Sequence, residues 1–397
     1  MKKYYLTAII FILFICNACD SKNDAKPDES GLFIKLLGGN QNELATNFII
    51  NDNGEVIGTG STESFKVNQT DLTNVFLFKT DNLGNKIWQK GIEGMIGNDI
   101  IATNDGGYAI VGTTVLLEMH LLKISSQGVL EWQKTYTPPS SFQTIGVSLA
   151  PAKNNGFVLF GYSRLNTGVL SMYFANVSSN GNLQSSNTYG YVAGANGNIE
   201  NEINSGKILA NGDAVVAGSI IEDTEKKARI SLVNSDLGIK WDYVYTSDIT
   251  SSNTKSSDIQ IANAGFIIAG TTTAAGKNTG FLLKTNSNGI LSWKKNIEFD
   301  TNLKLTSVYP TEDGGYILTG DILMTDREVA HTNIWVGKVN SIGELSWHKN
   351  FGGRRDDVGK CVRVTKDGSY VILGTLGFET NKMLVLIRLD KNGNLIR

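Results

Sequence analysis

One sequence pattern returns seven times after residue 31, at intervals of about 50 residues. Each copy contains a turn, a short apolar stretch and a closing glycine. The copies span residues 53–60, 106–112, 155–161, 211–218, 264–270, 314–320 and 367–374. A unit of this length cannot bury its apolar face alone and must stack on its neighbours. The pattern therefore predicts one repeat architecture and not several unrelated domains.

The second half of each unit is another apolar stretch, a turn and a segment that usually carries Trp and Lys. Turns of this kind need a positive φ, which glycine adopts readily, and they join antiparallel strands. The expected turn glycines are Gly84, Gly128, Gly181, Gly238, Gly289, Gly343 and Gly393. Two hairpins per unit make a four-stranded antiparallel sheet, which is one blade of a β-propeller.

The two ends of the repeat region predict how the ring closes. The Trp of the fourth strand is Ser185 in the third unit, and the seventh unit ends at Arg397 before that strand. Residues 32–39 align with residues 346–353 and place Phe33 where Trp belongs. We therefore predict an all-β, seven-bladed propeller over residues 31–397, closed by the N-terminal strand pairing into the last blade.

Residues 1–18 have the features of a signal peptide. Lys2 and Lys3 precede an apolar run that is too short to span a bilayer comfortably. Ala18 followed by Cys19 resembles the lipobox of bacterial lipoproteins, which implies acyl chains on Cys19. The alternative is an ordinary secretory peptide, which would leave Cys19 as a free thiol.

Residues 19–30 are polar after Cys19 and lack apolar periodicity, so they are expected to form a flexible tether. A lipidated Cys19 would attach the protein to a membrane of the bacterial cell envelope. We expect the outer membrane, with the propeller facing either the periplasm or the cell surface.

The composite unit combines Gly-Gly-Tyr with a strand ending in Lys, and then Asn-Gly, Trp and a final Gly-Gly. It resembles the β-propeller repeats of bacterial secreted and surface proteins often called SBBP-type repeats, over nearly all of residues 32–397. It differs in having Asn74-Val75-Phe76 where that family usually has Asp-Ala before the third strand. The resemblance implies a propeller and an extracytoplasmic setting, and it implies no enzyme.

Residues suited to catalysis are few. The three histidines, His120, His331 and His348, fall within the repeat frame, which predicts strand or loop surface positions. No nucleophile elbow, zinc motif or phosphate loop occurs in a suitable setting, so neither a cofactor nor a metal is predicted and an enzyme is disfavoured. The formal net charge of −2 argues against a nucleic-acid partner.

Acidic residues precede the expected first strand of several units, and Gln143 lies near the same place in the third unit. If those strands line a central channel, the carboxylates form a broken ring at one mouth that could hold a cation or a basic ligand. The alternative is that each carboxylate accepts backbone N–H bonds between blades. The candidates are Glu43, Asp99, Glu202, Asp258 and Asp357.

Two further regions depart from the repeat. One is a charged loop that contains Arg354, Arg355, Asp356 and Asp357. The other comprises longer connections at residues 136–146 and 190–206, beside the third unit that lacks its Trp. Such departures mark either a functional face or sequence drift.

Together these features favour a monomeric, non-enzymatic envelope lipoprotein that binds a protein or glycan through a propeller rim or channel mouth. One alternative is an outer-membrane assembly component that pairs strand edges with a client. Another is a carbohydrate-active lyase or glycosidase with carboxylates in the central mouth.

Overall fold

The computed structural model describes residues 33–68, 72–190, 200–222, 225–246, 252–326 and 329–396. These residues form seven four-stranded antiparallel sheets, with one short 3₁₀ turn at Lys153–Asn155. In these ranges no helix has the length and apolar character needed to cross a membrane. The predicted signal peptide, the lipidated Cys19 and the tether lie outside the described residues.

The strands follow the repeat in chain order, and β1 (Ile34–Leu37) belongs to the last blade. Blade 1 contains β2 (Glu43–Ile50), β3 (Val56–Thr62), β4 (Asn74–Thr80) and β5 (Lys86–Ile92). Blade 2 contains β6 (Ile96–Ala102), β7 (Tyr108–Thr113), β8 (Met119–Ile124) and β9 (Leu130–Tyr136). Blade 3 contains β10 (Ser141–Pro151), β11 (Phe157–Leu165), β12 (Leu170–Val177) and β13 (Leu183–Tyr189).

The remaining blades have the same order. Blade 4 contains β14 (Glu200–Ile208), β15 (Ala214–Glu222), β16 (Glu225–Val233) and β17 (Ile239–Tyr245). Blade 5 contains β18 (Asn253–Ala262), β19 (Gly265–Ala274), β20 (Lys277–Asn286) and β21 (Leu291–Ile297). Blade 6 contains β22 (Leu303–Pro310), β23 (Tyr316–Asp326), β24 (Val329–Val339) and β25 (Leu345–Phe351). Blade 7 contains β26 (Val358–Val364), β27 (Tyr370–Gly377) and β28 (Lys382–Leu389), with β1 as its outer strand.

Ring closure by the N-terminal strand is confirmed. β1 pairs antiparallel with β28, and Ile34 lies opposite Ile387. Just before β1, the backbone N–H of Phe33 donates to the carbonyl of Ile396 at 2.7 Å, and the N–H of Arg388 donates to the carbonyl of Phe33 at 3.1 Å. Because the first and last segments share one sheet, blades 1 and 7 are held side by side.

Aromatic rings pack across six of the seven interfaces between neighbouring blades. The ring at the start of an outer strand covers the turn glycine of the following blade, and a Cβ atom at that glycine would lie only 2.5 to 3.0 Å from it. These turn positions have positive φ and a ring overhead, so glycine satisfies both requirements. The pairs are Phe33 with Gly84, Trp88 with Gly128, Trp132 with Gly181, Trp241 with Gly289, Trp293 with Gly343 and Trp347 with Gly393.

Blade 4 departs from the prediction for its turn. Leu237, not Gly238, occupies the positive-φ position, at φ 66°. The N–H of Leu237 donates to the carbonyl of Asn234, which is the hydrogen bond made by the turn glycines of the other blades. The expected glycine role of Gly238 is therefore wrong, since the turn is shifted by one residue relative to the glycine.

The irregular connections are also shorter than the sequence suggested. β10 begins at Ser141, inside the expected connection 136–146, and β14 begins at Glu200, inside the expected connection 190–206. Pairing with β11 and β15 extends these two innermost strands into the expected connections, since Ser141 lies opposite Leu165 and Glu200 lies opposite Ile221.

Candidate functional site

The seven innermost strands surround a small central channel of about 110 Å³. Each of these strands has a β-bulge, and the residue that follows the register shift lines the channel. A bulge bends the strand and turns an extra side chain inward. The seven equivalent residues, here called the bulge ring, are Asn47, Asp99, Ser148, Ser205, Asp258, Ser307 and Cys361.

Asp99 joins three blades through this ring. Its Oδ1 accepts hydrogen bonds from Asn47 Nδ2 at 2.6 Å and from the N–H of Ile100 at 2.9 Å. Its Oδ2 accepts from Ser148 Oγ at 2.7 Å and from the N–H of Leu149 at 3.1 Å. Both oxygens are therefore committed to neighbouring blades.

Asp258 repeats the arrangement on the opposite side of the ring. It accepts from Ser205 Oγ at 2.9 Å, from Ser307 Oγ at 2.9 Å and from the N–H of Val308 at 3.2 Å. Charge-assisted hydrogen bonds of this kind are stronger than neutral ones. For both aspartates the geometry favours the inter-blade role that was the alternative to ligand binding.

The other predicted carboxylates do not share this ring, so the expected single acidic ring is wrong. Glu43 and Asp357 lie four positions before the bulge ring, and Glu202 lies three positions before it. Glu43 is fully buried and accepts from the Thr62 hydroxyl at 3.0 Å, whereas Glu202 pairs with Lys226 at 2.9 Å. The bulges and the earlier start of the strands separate residues that align in the sequence.

The charged loop before β26 divides into an exposed and a buried part. The side chains of Arg354 and Arg355 are exposed, and Asp356 Oδ1 accepts from the N–H of Thr332 at 2.9 Å. Asp357 is only 1% exposed. Its carboxylate accepts the N–H groups of Gly353 and Gly377, both at 2.8 Å, so it fixes the loop to β27.

Burial raises the pKa of the Asp357 carboxyl to about 6, although its two backbone donors and His331 act in the opposite direction. Its ordinary value is 3.8, so the folded state holds an extra proton between pH 4 and 6. The contribution of this carboxyl to stability is therefore present below that window and is lost as the pH rises through it. We predict that Asp357→Asn gains stability relative to the natural protein as the pH rises from 4 to 7.

Urea unfolding midpoints of the two proteins at pH 4, 5, 6 and 7 measure this difference. His120 titrates in the opposite sense, since burial lowers its pKa to about 4, but it is present in both proteins and cancels. A difference in stability that is independent of pH would contradict the prediction.

The predicted surface position is wrong for two of the three histidines. His120 is 4% exposed and His331 is 5% exposed, so both are buried, and only His348 is exposed. His120 lies on β8 and His331 on β24, strands that are covered on both faces by neighbouring blades.

The channel also contains basic side chains that the sequence pattern does not predict. Arg363 donates to Asn47 Oδ1 at 2.7 Å, and its guanidinium lies 5.4 Å from the Tyr309 ring centroid. Lys207 and Lys360 also line the channel. Arg363 stands two residues after Cys361 in β26, a position that becomes visible only once the innermost strands are aligned on their bulges. The channel thus contains its own counter-charges for Asp99 and Asp258.

A cavity of about 430 Å³ lies between blades 3 and 4. Three departures from the repeat coincide there. Ser185 replaces the Trp of the outer strand, and it pairs with Asn176 as Trp132 pairs with Lys123. Ala214 replaces the aromatic residue on which that Trp packs in the next blade, and Leu237 fills part of the space above the turn. We call this space the blade 3–4 cavity.

The blade 3–4 cavity is lined on one side by apolar residues, and its described lining residues are all uncharged. Val158, Phe160 and Val233 line its apolar side. Asn176 lies at its edge and donates to Ser185 Oγ at 3.2 Å and to the carbonyl of Ser235 at 3.0 Å. In five other blades the position of Asn176 holds a cation, namely Lys79, Lys123, Lys284, Lys338 or Arg388.

Comparison with solved structures agrees with this architecture. The crystal structure of the WD40 β-propeller domain of Doa1 has a TM-score of 0.53 and 10% identity, over 91% of this chain and 98% of that chain. The Pan2 WD40 domain of Neurospora crassa also has a TM-score of 0.53 and 10% identity, over 87% of this chain and 89% of that chain.

The chain is a seven-bladed β-propeller. No protein-family model and no curated protein matches it. At these identities the structural likeness shows the fold alone. The resemblance to SBBP-type repeats stays a prediction.

Proposed function

We propose that this protein is a bacterial envelope lipoprotein, anchored through Cys19, that acts as a non-enzymatic binding scaffold. Its partner is held at the propeller rim, in the blade 3–4 cavity. The observation that carries the proposal is that one inter-blade contact has lost its aromatic pair and left an uncharged space of about 430 Å³. This volume lies in the range of ligand-binding pockets, about 300 to 1,000 Å³.

The central channel supports the rim as the binding surface. Both of its carboxylates accept hydrogen bonds from neighbouring blades, and Arg363 occupies the space between the strands with its own side chain. A group that already holds the blades together cannot change partners without loosening the ring. The described lining of the blade 3–4 cavity includes no carboxylate that joins blades in this way.

We predict that the full-length protein incorporates radiolabelled palmitate and that Cys19→Ala does not. Acylation of this residue is the step that would anchor the propeller, and several acyl chains make a stable anchor. Protease added to intact cells then separates the two orientations: release of the labelled protein indicates the surface, and protection indicates the periplasm. Equal labelling of both proteins, or of neither, would contradict the anchor.

Photocrosslinking tests the binding role directly. A photoreactive phenylalanine analogue at Ser185, beside the blade 3–4 cavity, should form a covalent adduct with a partner in intact cells. The matched control carries the same analogue at Ile87, an exposed residue of the outer strand of blade 1 (51% exposed). Equal adduct yields at the two positions would overturn the assignment of the site.

A further inference from the structure

The outer strands differ in one property that bears on partner binding, which is their charge. An outer strand exposes unpaired N–H and C=O groups, and proteins protect such edges with charged side chains, lysine above all. Six of the seven outer strands contain Lys, which is Lys35 in β1, Lys86 and Lys90 in β5, Lys134 in β9, Lys240 in β17, Lys294 and Lys295 in β21, and Lys349 in β25. The seventh is β13, whose sequence Leu-Gln-Ser-Ser-Asn-Thr-Tyr carries no charge.

The unprotected strand borders the blade 3–4 cavity. Ser185 lies within β13 and occupies the Trp position, and Asn187 stands two residues later, where Lys35, Lys90, Lys134, Lys295 and Lys349 stand in other outer strands. The same strand has thus lost both its ring and its lysine. The loss of the ring opens a cavity, and the lack of charge leaves the edge of β13, which pairs with no further strand among the described residues, without the lysine that protects other outer strands.

The other interfaces show what fits the cavity. At each of them an aromatic ring from the outer strand covers the next blade, and Trp132, Trp293 and Trp347 also pack on an aromatic ring there at 6.1 to 6.3 Å between centroids. The blade 3–4 cavity keeps the apolar wall of Val158 and Phe160 but lacks both rings. An aromatic ring is therefore the group that this space is shaped to accept.

We infer that an extended polypeptide partner adds a strand along the outer edge of β13 and inserts an aromatic side chain into the blade 3–4 cavity. A residue opposite Ser185 on the added strand would have its Cβ about 4.5 to 5.5 Å from that of Ser185 and would point to the same face. An aromatic side chain spans that distance. The inference rests on the proposed function for its site and specifies the chemistry of the partner.

The probe is a fluorescein-labelled peptide, Lys-Thr-Val-Thr-Trp-Thr-Val-Thr-Lys, titrated into the purified full-length protein and followed by fluorescence anisotropy. Its partner peptide has Ala in place of Trp. We expect saturable binding of the Trp peptide and a Kd at least about tenfold higher for the Ala peptide. Absence of saturable binding at millimolar peptide, or equal binding of the two peptides, would overturn the inference.

Two variants separate the edge from the cavity, and each copies residues found in other blades, so each retains a sequence that suits the fold. Ser186→Lys places a lysine where β21 has Lys294, on the face of β13 opposite to that of Ser185. Ser185→Trp combined with Leu237→Gly fills the cavity with the usual ring and glycine. Each should raise the Kd of the Trp peptide at least about tenfold, whereas Ile87→Lys on β5 should leave it unchanged. Urea midpoints verify that the variants are folded.

Loss of binding in only one of the two variants would reject the other half of the inference. An effect confined to Ser186→Lys would exclude ring insertion, and an effect confined to the filled cavity would exclude strand addition. These measurements use purified protein, so they are independent of the lipid anchor: failure to label with palmitate would overturn the anchor without affecting the peptide result.

Discussion

Phe33→Ala is expected to destabilise the propeller by about 3 to 5 kcal/mol, because it removes a buried ring at the point where the ring of blades closes. The side chain is 5% exposed. Its ring covers Gly84 of blade 1 and lies 5.9 Å from the Arg388 guanidinium. One substitution therefore weakens the contact of β1 with both the last blade and the first. Urea unfolding of the full-length protein measures the loss.

The control for this prediction is Phe142→Ala, because Phe142 is 58% exposed on β10. It should change the stability by no more than about 0.5 kcal/mol. Hydrogen exchange then distinguishes closure from simple loss of packing. In Phe33→Ala the protection of amides should fall most in β1 and β28, the two strands that close the ring. A uniform loss across all seven blades, or equal stability of the two variants, would show that closure does not depend on Phe33.

The number of blades and the closure by Phe33 follow from the sequence because their signals are local. A turn glycine needs positive φ wherever it stands, and an aromatic residue at a fixed distance from it has a ring to bury. Six of the seven blades have a turn glycine with positive φ, and six of the seven outer strands begin with an aromatic ring, so many weak signals support one another. The alignment of Phe33 with Trp347 then predicts which strand completes the last blade, and the structure confirms it.

The register of the acidic residues could not be predicted because a β-bulge has no clear sequence signature. Asp99 and Asp258 lie inside their strands, at the bulge, whereas Glu43 opens a strand and Asp357 precedes one. A shift of one residue moves a side chain from one face of a strand to the other. Residues that seem aligned in sequence thus end in three different environments.

The blade 3–4 cavity could be predicted from the sequence only in part. Replacement of Trp by Ser185 is visible in the sequence and suggests an irregular blade. In the next repeat, Ala214 replaces an aromatic residue and Leu237 takes the turn position that glycine has in other blades. Only the stacking of the blades brings these two residues close to Ser185. A packing defect shared by two blades is a property of their interface.

Asp258→Ser is expected to destabilise the protein by about 3 to 5 kcal/mol, although Ser is the residue that three other blades have at this position. The substitution removes the acceptor for Ser205 Oγ, Ser307 Oγ and the N–H of Val308. It also removes a negative charge that interacts with Arg363. Blades 4, 5 and 6 would therefore lose their common hydrogen-bond acceptor in one step.

The matched control is Ser205→Ala, which removes one of these hydrogen bonds and leaves the Asp258 carboxylate in place. It should cost about 1 kcal/mol. The double variant should lose less stability than the sum of the losses in the two single variants, because Asp258→Ser has already removed the carboxylate to which Ser205 donates. Additive effects would mean that the two side chains are energetically independent. If Asp258→Ser lowered the free energy of unfolding no more than Ser205→Ala, the carboxylate would not be needed for stability. The channel would then again be a candidate ligand site.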